Sequence, residues 1–395
     1  VTPADELPNV LDRIGSRVST VRELPELRPV DRDLITREDL AQRLREDFEE
    51  SREEFQTTQQ VYVTLGIMEQ GADLYAMLLG LYGEAVLGFY TPEDEKFFVV
   101  SEASRFGPPE ERTYAHEYVH GLQQQHFDIF AISESLEGNS DARAAFSALV
   151  EGDASLGEDL YVTDNMTRSQ RVASIPPSSQ ELFDAFRASP NVIQRSLIFP
   201  YREGQSFVES LFVRKRWETV NEAYEKLPKS TEQVLHPEKY FAQEDPQPVE
   251  LPDLGAALGD GWTEVERDTM GEFFVMVYLE SGIPSGWAAL AAEGWGGDRY
   301  TYWSGPEDRQ VLVSSLVWDT PEDAREFHDA FVGFTGARGD LQPDPIGANA
   351  TTPLMTLPDQ VVLVERESDT TVLVFAPDPE VLDRVREALQ QFRGG

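Results

Sequence analysis

The chain has 395 residues, with 72 acidic against 33 basic side chains and a formal net charge of −39. A polyanion of this strength repels nucleic acid and anionic lipid, so neither is an expected partner. There is no cysteine, which excludes disulfides, thiolate metal sites and cysteine nucleophiles, and no apolar run reaches the ~18 residues of a membrane span.

Residues 1–35, rich in Pro, Arg and Asp, read as an N-terminal arm. From Thr36, a plausible N-cap, Leu40, Leu44 and Phe48 recur at helical spacing. A second helical stretch is expected over Val61–Leu81, broken near Gly71. Two short apolar runs, Ala85–Tyr90 and Lys96–Val100, flank Thr91-Pro92-Glu93-Asp94 and predict a β-hairpin. Pro108-Pro109-Glu110-Glu111 opens a helix expected to reach about Phe130, with proline and acids where a first turn favours them. After a polar linker, Ser133–Ser140, an alanine-rich helix starts near Asp141 and passes Leu160. A surface loop is expected over 165–180, then helices at Gln180–Arg187, Ser206–Lys226 and Asp268–Glu280. The end of the chain reads as strands Tyr300–Trp303 and Val311–Trp318, helix Pro321–Phe334, strands Gln360–Glu365 and Thr371–Phe375, and helix Pro379–Phe392. This β-β-α-β-β-α order predicts a ferredoxin-like α/β sandwich over 295–395, with Gly294–Gly297 as the domain-joining turn. The fold class expected is α+β, with a mainly helical region over 36–294.

Only Lys96, Lys215, Lys226, Lys229 and Lys239 are lysines. An acid-rich, lysine-poor chain is expected of a protein that works in concentrated salt, where a Debye length of ~3 Å at molar strength removes most of the repulsion between crowded acids. The chain opens on Val1-Thr2-Pro3 and not on Met. A removed leader and an extracellular or envelope location fit this, with a cytoplasmic one left open.

One stretch carries chemistry. His116-Glu117-Tyr118-Val119-His120 is an H-E-x-x-H pattern within a predicted helix. Residues four apart lie on the same helix face, so both imidazoles can reach one ion at ~2.0–2.1 Å, with Glu117 turned aside towards a water. Zinc takes a third protein ligand and keeps an open position. His126 stands where metzincins place a third histidine, but Gln123 occupies the position of their turning glycine. Glu151 is the better candidate. About ten residues run down from His120 and about ten climb from Asp141, ~15 Å each, so an antiparallel helical pair brings Glu151 level with His120. Ala144, Ser147, Ala148 and Ser155 permit a close helix approach.

His116, Glu117, His120 and Glu151 together resemble the gluzincin zinc metallopeptidases, over roughly residues 60–165. The resemblance implies a zincin-like catalytic region over 36–294 and a zinc cofactor on His116, His120 and Glu151. It also implies hydrolysis of a peptide or protein by zinc-activated water, with Glu117 as general base. It implies a substrate-binding edge strand at Ala85–Tyr90 or Phe97–Val100. A Tyr or His from further along the chain would stabilise the oxyanion, and Tyr201 and His236 are the candidates. Ser155 replaces the Asp that thermolysin-like members carry, leaving Glu158 or Asp153 to orient the histidines. His328 reads as a surface residue. A second reading is a catalytically silent zinc-binding or envelope-associated interaction protein, against which the retained Glu117 counts. No phosphate loop follows Gly294–Gly297, no calcium hand surrounds Asp340 and Asp344, and no G-x-S-x-G elbow occurs.

Overall fold

The computed structural model describes residues 6–85, 88–91, 96–100, 106–175, 180–336 and 354–394. The protein is mainly helical, with a six-stranded antiparallel sheet in its C-terminal region. None of the described helices is long and apolar enough to cross a membrane.

Within the expected N-terminal arm, residues 7–22 and 31–35 form regular elements. Leu7–Arg22 is a helix whose Leu11, Ile14 and Val18 pack with Tyr118, Val119 and Leu122 of the helix Pro108–Phe127. The approach is close because of Gly15, where a Cβ would stand 2.5 Å from the Tyr118 ring. Strand β1 (Asp31–Ile35) follows, parallel to β3 (Lys96–Val100), which pairs antiparallel with β2 (Gly88–Thr91). The hairpin is therefore one part of a three-stranded sheet ordered β1-β3-β2. Because β3 is central, Phe97–Val100 has no free edge for a substrate; among the two candidate segments only β2 lies at an edge. Val86, Leu87 and the Pro92–Asp94 turn fall outside the described residues.

Thr36 caps the helix Arg37–Glu50 in a reciprocal arrangement. Its Oγ1 accepts from Asp39 N, and the Asp39 carboxylate accepts from Thr36 N, each at 3.1 Å. The expected long helix over Val61–Leu81 is two, Arg52–Thr64 and Leu74–Ala85, separated by Gly66 and Gly71 at φ 71° and 89°. The predicted loop 165–180 contains a short helix, Arg168–Ala173. The helix expected from Ser206 begins at Asn191 and runs through Pro200 to Lys215.

The C-terminal sheet is ordered β4-β5-β6-β9-β8-β7, with β4 Thr263–Asp268, β5 Trp295–Ser304, β6 Gln310–Trp318, β7 Leu354–Thr356, β8 Val361–Glu367 and β9 Thr370–Ala376. Alternation sorts its two faces. Leu312, Leu316, Leu373 and Phe375 join the core shared with the helical region. Val311, Val313, Val372 and Val374 pack with Val381, Val385 and Leu389 of the helix Pro379–Gly394. With both faces covered, the strands read as near-continuous apolar runs.

Strand β4, before the boundary expected at 294/295, pairs with β5 and belongs to the sheet. Gly294–Gly297 is not a linker but the entry to β5, where the register shifts between Trp295 and Gly297. Gly297, at φ 158°, lies so close to the chain that a Cβ would meet Gln247 O at 2.3 Å. His328, expected at the surface, is 6% exposed on the helix Pro321–Gly336. Asp340 and Asp344 lie outside the described residues.

Candidate metal centre

Two long helices build the site. Pro108–Phe127 starts on Gly107, whose N–H bonds Glu110 Oε2 at 2.9 Å, and ends where Asp128 turns left-handed at φ 53°. Ser140–Asn165 is capped by Asn139, whose side chain accepts from Ala142 N at 3.0 Å. They run antiparallel: Tyr161 bonds Glu111 at one end and Gln123 bonds Val150 O towards the other. Gly157 permits the approach, since a Cβ there would stand 3.0 Å from Val119.

Between these helices His116, His120 and Glu151 converge. Glu151 Oε2 lies 3.2 Å from His116 Nε2 and 3.5 Å from His120 Nε2. The imidazole centroids are 4.9 Å apart and the rings nearly perpendicular. All three donor atoms lie within 4.8 Å of one another. Donors ~2.1 Å from a shared tetrahedral ion stand about 3.4 Å apart, so the two nitrogens and one carboxylate oxygen fit a zinc-sized cation in type and spacing.

Each histidine is held from behind. His116 Nδ1 lies 3.2 Å from Glu158 Oε2, and Glu158 is in turn paired with Arg112. His120 Nδ1 donates to Gln123 Oε1 at 2.8 Å. Gln123 then donates from Nε2 to Asp153 Oδ2 and Val150 O, each at 3.0 Å. These bonds engage each Nδ1 and leave both Nε2 atoms facing Glu151, where the rings once neutral would offer their lone pairs to an ion.

Asp153 is the hub of a wholly buried network. Its carboxylate takes Arg22 Nε at 2.5 Å and Nη2 at 3.0 Å, and Tyr224 OH at 2.8 Å. Arg22 lies 4.2 Å from the Trp217 ring centroid and also bonds Asn221 Oδ1 at 2.7 Å. Glu158 and Asp153 thus orient the histidines where Ser155 does not, one directly and one through Gln123. Gln123 was visible in the sequence only as an absent glycine.

Burial disfavours charge throughout the site, and the pairing more than offsets it. His116 is desolvated, but its bonds to Glu151 and Glu158 hold its pKa well above the usual imidazole value. His120 is likewise raised, against its desolvation, by the Glu151 charge. Glu151 is lowered despite burial, chiefly by the His120 charge. Without a metal, protons on the imidazoles hold the carboxylate.

Tyr201 reaches the site and His236 does not. Tyr201 lies on the helix Asn191–Lys215, with its ring centroid 6.1 Å from that of His116. This helix touches Ser140–Asn165 backbone to backbone. A Cβ on Gly152 would stand 2.2 Å from Gly204 O, and one on Gly204 would stand 2.2 Å from Ala148 O. Ala148, one of the small residues expected to admit the histidine helix, thus lies against the helix that brings Tyr201. Desolvation, then the Glu151 and Glu117 charges, push the Tyr201 phenol above its ordinary pKa, so it stays a donor. Glu117 also acts electrostatically on both histidines.

His236 Nε2 instead bonds Glu272 at 2.9 Å. Its neighbourhood is anchored at the start of Ser140–Asn165, where Thr231 N donates to Asp141 at 3.0 Å. Asp141 is ten residues, ~15 Å of helix, from Glu151. His126 is also outside the metal site. The helix continues past it, and its Nε2 bonds Pro25 O at 2.7 Å. A further acidic trio, Glu232, Glu244 and Asp319, surrounds Lys239 Nζ at 2.6, 2.8 and 2.5 Å, so an ammonium already occupies its centre.

Residues 258–386 match the model of a family described as a domain of unknown function, DUF8575. The matched segment contains all six strands of the C-terminal sheet and none of the residues of the histidine–glutamate cluster. No curated protein and no solved structure matches the chain.

Proposed function

We propose that the protein is a zinc-dependent hydrolase, a metallopeptidase of gluzincin type whose helical region is zincin-like. The carrying observation is the convergence of Glu151 on His116 and His120, with both Nδ1 atoms already committed to acceptors. Zinc held by these three residues would supply Lewis acidity, lowering the pKa of water from ~15.7 towards ~7. Glu117 takes the proton from the attacking water and returns it to the leaving amine. Tyr201 donates its phenolic proton in a hydrogen bond to the developing oxyanion. The outer edge of β2 would align an extended peptide above the histidine helix. In the C-terminal region the order β5-β6-β9-β8, with a helix after each sequential pair, is the one a ferredoxin-like sandwich uses, but the helices Pro321–Gly336 and Pro379–Gly394 cover opposite faces of the sheet, so we do not propose the two-layer arrangement.

The direct test is metal content and its ligands. One zinc per chain is expected, lost to a chelator with a fall in melting temperature. Metal uptake should release protons, because His116 and His120 have raised pKa values and must become neutral to bind; affinity therefore falls as pH falls. Glu151→Ala should lose zinc and His126→Ala should keep it; the opposite pattern sinks the gluzincin assignment.

Tyr201→Phe is expected to lower kcat by about 10²- to 10³-fold, the cost of one oxyanion donor, with KM little changed. Unchanged kcat in Tyr201→Phe would remove this residue from the mechanism.

A further inference from the structure

A cavity of about 390 Å³ lies along the helix that carries Glu151. It follows the helix face that carries Glu151, passing Ser147, Ala144 and Ser140 at helical spacing. Tyr82, Ser147 and Pro200 form the end nearer the site; Ser147 is ~6 Å of helix from Glu151, and Pro200 precedes Tyr201. Tyr82 also feels the Glu151 charge, which raises its pKa after desolvation. At the other end, Tyr62, Phe274, Tyr300 and Glu266 line the wall, the last two contributed by the C-terminal sheet. Asp268, two residues along β4 from Glu266, accepts Ser140 N at 2.8 Å, which fixes Glu266 to this far end.

Glu266 is the unusual group. Its Oε1 accepts from Tyr300 OH at 2.9 Å, while Oε2 is buried with no hydrogen-bond partner. An unpaired buried carboxylate oxygen is costly, and a cationic donor satisfies it best. The other charged lining residue, Arg143, lies 3.4 Å from Glu54 and leaves Glu266 unneutralised. Tyr62 and Phe274, stacked at 5.7 Å, add π-faces that favour a cation.

We propose that this cavity is a specificity subsite for a lysine or arginine side chain of the peptide substrate, with Glu266 as its carboxylate partner. This rests on the hydrolase reading above. Burial and the Asp268 and Glu54 charges raise the Glu266 pKa in the empty pocket, and a bound cation relieves that cost. From Glu151 to Ser140 is ~16 Å of helix, further than one side chain reaches. At ~3.3–3.6 Å per extended residue, the basic side chain is expected two or three residues from the scissile bond.

The test is a set of quenched fluorescent peptides in which one lysine, or norleucine as its neutral counterpart, is moved through successive positions. With zinc-loaded wild type, kcat/KM should favour lysine by about 10- to 100-fold at one position, the range of a hydrogen bond to a charged group. In Glu266→Gln that ratio should fall to about 1–3, with the fold checked by its melting temperature. A norleucine preference, or a lysine preference that survives Glu266→Gln, overturns the subsite. If no peptide is cleaved, the hydrolase reading fails, and calorimetric titration of the same lysine and norleucine peptides still reads the pocket. Lysine-selective binding that Glu266→Gln abolishes keeps it; equal binding, or none, overturns it.

Discussion

Glu117→Gln is expected to retain one zinc per chain and to lose peptide hydrolysis by about 10²- to 10⁴-fold, the usual worth of a positioned general base. Glu117 lies between His116 and His120 in sequence but is rotated off their shared face, so removing its charge leaves the three donors in place. The substitution keeps the shape of the side chain and takes away the proton acceptor. The loss should fall on kcat and kcat/KM together, since the proton is in flight only in the transition state. Zinc analysis and steady-state kinetics on the same preparation make the comparison. Undiminished turnover would mean that another group is the base or that the activity belongs to a contaminant. Loss of zinc as well would mean that Glu117 supports the metal. A cellular role that survives in Glu117→Gln would favour the silent zinc-binding reading.

The parts of this site that were legible in the sequence are those set by helical periodicity. The H-E-x-x-H spacing and the count of residues down one helix and up the next put Glu151 beside the histidines, because both helices run unbroken through the turns that matter. Tyr201 and His236 could not be ranked from sequence. The helix expected from Ser206 starts instead at Asn191 and carries Pro200 and Tyr201, and the Gly152–Gly204 contact sets it against the helix that bears Glu151. The sheet was legible as strands but not in extent. Gly294–Gly297 looks like a linker, and only its pairing with β6 and its crowding by Gln247 reveal it as the start of a strand. The N-terminal helix was hidden by charge. Arg22 reads as one more arginine in an arm, and its partner Asp153 is 131 residues away.

That pair should give the largest stability effect. Asp153→Ala is expected to destabilise the protein by about 3–5 kcal/mol, because it strands the Arg22 guanidinium, wholly buried, beside Asn221 and Trp217 alone. It also loosens Gln123, which keeps Val150 O but loses its Asp153 acceptor and part of the constraint on His120. Zinc affinity should therefore fall by about 10- to 100-fold, the usual cost of removing a group that orients a ligand. The two effects separate in a double substitution. Arg22→Met with Asp153→Leu removes both charges and refills the space with apolar atoms, which is often neutral for stability where a buried pair is replaced. Urea denaturation should show most of the stability recovered, while competition against a chromophoric chelator should show zinc still weakly held. If affinity returns along with stability, the chain from Arg22 through Asp153 and Gln123 to His120 holds the fold together and does not position the ligand.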